Sequence, residues 1–242
     1  MAITRIYVEL NLATGETFEL PTAAGHHVAR VLRMQIDDQL ILFDGQGGEY
    51  TANILSIHKS DVRIEVQSFS KIERESSIQV ELLQGISKGE KMDFTIQKAV
   101  ELGVNKIVPA ITTYSNVKLD PKRLEKKRDH WRKVIISACE QCGRNRIPEL
   151  GEIIKLDNLR SESEADLKLI LAPDAEGSLS DLTDEPETIS IVIGPEGGLS
   201  RAEIETLTKK GYTGIRLGSR ILRTETAALA TIAVLQNQFG DY

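Results

Sequence analysis

The sequence predicts an α/β protein in two parts: a small β-barrel or sandwich over residues 1–72, and a larger domain over 73–242 built on a mostly parallel sheet. Three observations carry this prediction. Short β-type runs separated by turn clusters crowd residues 41–66. From Ile78 onward, strand-like runs alternate with helical stretches. Two of the later runs end in glycine, at Gly194 and Gly218, and each leads through a short loop into a helix.

In the first part the strands are ILF (41–43), EYTANIL (49–55) and VRIEV (62–66), the last alternating strictly between apolar and polar residues. Asp44-Gly45-Gln46-Gly47-Gly48 and Lys59-Ser60-Asp61 supply the turns. Ala23–Leu32 predicts one short helix, and the polar bridge KIERESS (71–77) marks the boundary.

In the second part IQVELLQGI (78–86), KIVPAI (106–111), LKLILAP (167–173), ISIVIG (189–194) and GIRLG (214–218) predict strands covered on both faces. MDFTIQKAVEL (92–102) predicts a helix that Gly103 stops. Asp120-Pro121 opens a longer helix, with Asp120 as N-cap. Its Leu124, Trp131, Val134, Ile135 and Ala138 recur at three- and four-residue spacings as far as Gly143. Ser200-Arg201-Ala202-Glu203 is a capping box. AALATIAVL (227–235) is apolar nearly all round, which predicts a buried helix.

At 242 residues, 40% hydrophobic and 27% charged, the composition is that of an ordinary globular protein. No run is long and apolar enough to span a bilayer, and MAITRIYVEL lacks the pattern of a secretory signal, so a cytoplasmic location is expected. Cys139 and Cys142 form a C-x-x-C pair without the further ligands a zinc site needs, so two thiols and no metal are expected.

The net charge of −6 conceals a strong asymmetry. Lys118–Arg146 carries ten Lys/Arg against four Asp/Glu, whereas Glu149–Glu187 carries three against twelve. A nucleic acid responds to the local basic patch because salt screens the rest; a solvated helix face is the plainer alternative.

The GPEGG loop (194–198) matches neither the Walker nor the dinucleotide-binding glycine motif, which argues against an NTPase or a dinucleotide-dependent oxidoreductase. Its glycines either punctuate a tight turn or bring bare backbone to a ligand. The second loop favours the ligand. Arg223-Thr224-Glu225-Thr226-Ala227 places a capping threonine and free N–H groups at a helix start, and Leu217, Ile221 and Leu222 can cover a flat polar ligand such as adenine. EQCGRNR (140–146) combines Glu140, Arg144 and Arg146 in a cluster suited to phosphates and base edges, or to capping the preceding helix. His26, His27, Arg30 and Arg33 recur at helical spacing as an RNA-facing edge or an ordinary wet face.

Five ordered blocks make the chain similar to a known family: HHVARVLRM (26–34), KGEKMDFTIQKAVELGV (88–104), ACEQCGRNRIPEL (138–150), IGPEGGLSRAEIE (193–205) and LGSRILRTETAAL (217–229). Together they resemble the SPOUT methyltransferases, and more narrowly the family that methylates N3 of a uridine in small-subunit (16S) ribosomal RNA. The resemblance implies a knotted parallel-sheet domain holding S-adenosylmethionine, a PUA-like N-terminal β-barrel that docks RNA, and a homodimer.

It also implies cofactor contacts at Leu171, Ala172, Gly194, Pro195, Glu196, Gly197, Gly198, Leu217, Gly218, Ile221, Leu222, Arg223, Thr224, Glu225 and Thr226. Arg144, then Arg223, would stabilise the uridine anion, and Glu140 or Glu225 would take its proton. His27, Arg30, Arg33, Lys88, Lys91, Arg132, Arg144 and Arg146 would contact RNA within the small ribosomal subunit. Another RNA acceptor, such as a ribose hydroxyl or guanine N1, and a non-enzymatic RNA-binding assembly factor are the alternatives.

Overall fold

The computed structural model describes residues 3–115, 120–159, 164–182 and 185–242. Lys118, where the basic segment begins, and 160–163 and 183–184 of the acidic stretch lie outside the described residues. The chain forms two compact units, Met1–Glu75 with Cys139–Ile147, and Ser76–Ala138 with Pro148–Tyr242. A boundary drawn at 72/73 does not anticipate the return of 139–147 to the first unit. That return depends on side-chain pairing between distant residues, which leaves no trace in periodicity.

In the first unit β1 (Arg5–Tyr7), β2 (Thr17–Glu19), β3 (Gln39–Phe43), β4 (Glu49–His58) and β5 (Asp61–Ser70) form a sheet in the order β1-β3-β4-β5-β2. β3, β4 and β5 make an antiparallel meander, and β1 joins β3 in parallel. The alternation in β5 turns Val62, Ile64 and Val66 inward, where they pack with Leu40, Leu42 and Ile54. Between β2 and β3, α1 (Thr22–His26) continues as a π-helical turn, His27–Val31, and Val28 enters the same core. Gly25 has no room for a side chain, since a Cβ would lie 2.3 Å from the Ser60 carbonyl oxygen. Arg33 follows the helical turn with φ of 54°, so the stripe expected through His26, His27, Arg30 and Arg33 breaks before its last member.

The second unit contains β6 (Gln79–Gly85), α2 (Glu90–Glu101), β7 (Lys106–Ile111), α3 (Pro121–Cys142, whose last turn belongs to the first unit), β8 (Glu149–Leu150) and β9 (Ile154–Lys155). It continues with β10 (Leu167–Leu171), β11 (Gly177–Ser178), β12 (Thr188–Ile193), α4 (Arg201–Lys209), β13 (Thr213–Arg216) and α5 (Thr224–Phe239). The strand order is β11-β13-β10-β12-β6-β7-β8, with β9 also on β7, and every pairing is parallel. The expected strands form the middle of this sheet; the two-residue β8, β9 and β11 are too short to show a periodicity.

Leu83, Val108, Ile170 and Val192 bury one sheet face with Leu207 and Tyr212, while α5 packs against β6 and β12 and against α2. Helix boundaries follow local chemistry. The Lys122 N–H donates to Asp120 Oδ1 at 3.2 Å, Ser200 and Glu203 form the expected capping box, and Gly103 ends α2 with φ of 88°. α5 is buried along Ala227, Ala228, Thr231, Ile232 and Leu235, but Leu229 and Ala233 are only partly covered and Val234 is exposed. The expectation of a helix buried all round is therefore corrected within the single chain: one flank meets the sheet and the opposite flank stays open.

Candidate active site

Parallel pairing places the site. β13, β10 and β12 are neighbours running in one direction, so their carboxyl ends emerge side by side. The loops that follow them enclose a cavity of about 420 Å³. Its wall gathers Leu171 and Ala172 from the first loop, Gly194, Pro195, Glu196, Gly197 and Gly198 from the second, and Leu217, Gly218, Ile221, Leu222, Arg223 and Thr224 from the third. Glu225 and Thr226 follow on α5 and are not part of the wall.

Lys91, Pro173, Ile193, Arg216, Arg220 and Ala227 complete the lining and were not anticipated as cofactor contacts. Ala227 sits three residues after Thr224, a helical spacing that could have found it. Lys91, expected against RNA, comes from α2, and nothing local links α2 to the glycine loop.

Part of the wall is bare backbone, at glycines where side chains do not fit. A Cβ on Gly194 would lie 2.7 Å from the Gly198 carbonyl carbon, and one on Gly197 would lie 2.8 Å from Tyr114 Cβ. Gly198 adopts φ of 72°, which favours glycine. The loop therefore folds back tightly on itself.

At the start of α5 the cap residue is Arg223, whose extended dihedrals suit that position and whose side chain makes no cap bond. The expected capping threonine is thereby corrected. Thr224 is already helical, so its hydroxyl turns away from the helix N–H groups and donates to the Gly194 carbonyl at 2.6 Å. It joins two loops of the cavity.

Glu196 accepts a hydrogen bond from the Lys88 N–H at 3.0 Å and faces Lys91 Nζ at 3.6 Å. Burial pushes its carboxyl up, but its own N–H, the Lys88 N–H and Lys91 outweigh that and hold it below the usual range. Arg216, Arg220 and Arg223 add positive charge to the wall, and Ile221 is 84% exposed. Glu225 Oε2 is buried without a hydrogen-bond partner among the described residues.

Arg144 and Glu140 belong to the first unit and have partners there. Arg144 is 4% exposed and grips Glu75 with two donors, Nε at 3.0 Å and Nη2. Its expected contact with RNA is therefore corrected: a guanidinium buried against a carboxylate presents no donor at the surface. Glu140 accepts from the Tyr7 N–H at 3.0 Å, and its carboxyl is raised by burial, partly offset by that bond and by the charges of His27 and Arg5. Asn145 donates to the Ile72 carbonyl, Arg74 to that of Gly143, and Arg5 and Arg74 both reach Glu49. EQCGRNR is thus knitted into the first unit. Burial pushes the Cys139 thiol up to about 12, and Cys142 is half-buried. Among the described residues no cluster of three or more His, Cys, Asp or Glu could hold a metal.

Of the other residues expected at RNA, His27, Arg30, Arg33, Lys88 and Arg132 are exposed. Arg146 is half-exposed, 3.7 Å from Glu73. On α3, Lys122, Arg123, Lys126 and Lys133 are exposed, while Arg128 pairs with Glu152 at 2.7 Å. No described helix is long and apolar enough to cross a membrane.

Comparison with known proteins adds a family to this geometry. The model of the RNA methyltransferase domain matches residues 74–236, and that of the RNA methyltransferase PUA domain matches 20–67. A ribosomal RNA small subunit methyltransferase E of Buchnera aphidicola is 39% identical over 99% of this chain and 98% of its own. A solved methyltransferase from Legionella pneumophila, in complex with the bound cofactor SAM, superposes with a TM-score of 0.97 at 42% identity over all of both chains. A ribosomal RNA small subunit methyltransferase E from Neisseria gonorrhoeae, bound to S-adenosyl methionine, gives 0.95 at 37% identity over 99% of each. With its domain match, its full-length relatives and its glycine-lined cavity, the chain belongs to the RNA methyltransferase family.

Proposed function

We propose that the protein transfers a methyl group from S-adenosylmethionine to N3 of a uridine in small-subunit (16S) ribosomal RNA. One observation carries this most directly: three neighbouring parallel strands end in a cavity lined by glycines, of which Gly194 and Gly197 leave no room for a side chain and Gly198 and Gly218 adopt positive φ. Such a cradle fits a flat, polar, cationic cofactor, with backbone groups for its polar edges and Leu217, Ile221 and Leu222 for its face. When bound, the cofactor supplies an electrophilic methyl group on a sulfonium.

The chain's own residues do the rest. Uridine N3 carries a proton at neutral pH and is a poor nucleophile until it leaves. Glu225, with an unpartnered carboxylate oxygen beside the cavity-lining Thr224, takes that proton. Arg223, in the cavity wall, supplies positive charge for the anion that develops over O2 and O4. Glu140 and Arg144 take neither role in this reading, since Tyr7 and Glu75 engage them within the first unit.

His27, Arg30, Arg33 and Arg146 of the first unit, with Lys88 and Arg132 of the second, hold RNA phosphates, so binding weakens as salt rises. Lys91 steadies Glu196 beside the cofactor. The uncovered flank of α5 at Val234 suits a second copy of the chain, and the reading includes a homodimer, a knotted second unit and action in the cytoplasm.

Calorimetry with S-adenosylmethionine should show binding, and primer extension on small-subunit RNA from cells lacking the protein should lose one strong stop at a uridine. Absence of binding at millimolar cofactor, or an unchanged stop, would sink the proposal.

A further inference from the structure

We infer that Gln84, outside the cavity wall, is a positioning residue that sets the glycine loop through Thr224; the inference rests on the proposed function. β6 closes on Gln84-Gly85 directly beside the end of β12, with Gln84 paired to Ile193. Gln84 is 0% exposed. Its Nε2 donates to Thr224 Oγ1 at 2.9 Å and to the Gly85 carbonyl at 3.0 Å, and Thr224 Oγ1 donates to the Gly194 carbonyl at 2.6 Å.

A hydroxyl has one proton to give. With that proton on Gly194, the Thr224 oxygen needs a donor behind it, and Gln84 is that donor. The relay therefore runs one way, from amide to hydroxyl to carbonyl.

Its last link matters because Pro195 has no N–H. The Gly194 carbonyl is the only hydrogen-bonding group of the peptide between residues 194 and 195, so holding it inward fixes that peptide plane where the glycine loop begins. The strand ends are also pressed together, since a Cβ on Gly85 would lie 2.5 Å from both N and Cδ of Pro195.

The other half of the amide argues the same way. Gln84 Oε1 is buried and has no hydrogen-bond partner among the described residues. An unpaired buried acceptor is costly, and Leu82 and Leu83 beside it show that apolar side chains suit this strand. The donor side is what the position requires.

The test separates positioning from packing. Gln84→Leu removes the donor and the orphaned acceptor together. We expect a melting temperature at or above that of the wild type, with the Kd for S-adenosylmethionine raised about tenfold, the scale of one lost hydrogen bond. A Kd within about twofold of wild type overturns the inference on the same scale.

Gln84→Glu keeps the size and serves as the second variant should the leucine form fail to fold. Its carboxylate only accepts, so it draws the Thr224 proton away from Gly194. Burial raises that carboxyl's pKa, so the Kd should be raised at about pH 9, where the carboxylate forms, and recover towards about pH 5, where a neutral carboxyl can donate again. A Kd equal to wild type at both values overturns the inference. Wild-type protein that binds no S-adenosylmethionine overturns this inference and the proposed function together, whereas normal wild-type binding with unaffected variants overturns this inference alone.

Discussion

In the first unit the side chains that look most reactive are turned against one another: Arg144 on Glu75, and Arg5 and Arg74 on Glu49. In the second unit the cavity is made of glycine backbone and apolar side chains, with Lys91, Glu196 and three arginines in its wall. A cluster of charged residues in the sequence thus marks an internal clasp in one region, while the residues with least chemistry of their own mark the pocket in the other. Buried charges need partners, so they organise packing; a ligand needs space and free main-chain groups, which glycine provides.

The contrast can be broken at several points. Arg144→Ala leaves Glu75 unpaired in a mostly buried setting and should lower stability by about 3 kcal/mol, seen as a fall in the urea midpoint, while the protein that remains folded keeps its cofactor Kd. A large loss of cofactor affinity with normal stability would place Arg144 in the site after all. Glu225→Gln removes the proposed proton acceptor and should cut single-turnover methylation about 100-fold, with cofactor Kd little changed.

Gly194→Ala forces a Cβ against the Gly198 backbone and should weaken cofactor binding by about 10- to 100-fold in calorimetry. The smallest effect concerns acid. Burial acts to raise the Glu49 carboxyl, but Arg5 and Arg74 outweigh it and the folded pKa lies below the unfolded value. Its stabilisation is therefore complete above the ordinary carboxylate range and is lost as pH falls through the depressed folded value. Glu49→Gln should flatten the acid limb of the stability profile; an unaltered limb would show that Glu49 does not set it.

Much of this was legible in residues 78–111 and 189–205, where apolar runs, capping residues and glycines act within a few positions of one another. The glycine loop could be read because Gly198 needs a left-handed backbone and Gly194 an empty one, both local demands. The role of Thr224 was misread for an equally local reason: a threonine at a helix start is usually a cap, and only the position of Gly194 turns it into a tie. Gln84 gave one faint sign, a polar residue directly after the apolar pair Leu82-Leu83.

Alternation and helical spacing placed the main strands and helices, and the paired glycine turns announced a ligand cavity, because short-range sterics and burial act on neighbouring residues. The partners of the long polar side chains came from the folded chain. Arg144 and Glu75 stand 69 positions apart, and Lys88, whose N–H holds Glu196, stands 108 positions from it. Such pairings follow from which segments the sheet and the returning 139–147 strand of chain bring together, and hydrogen bonding over those separations has no periodicity to read.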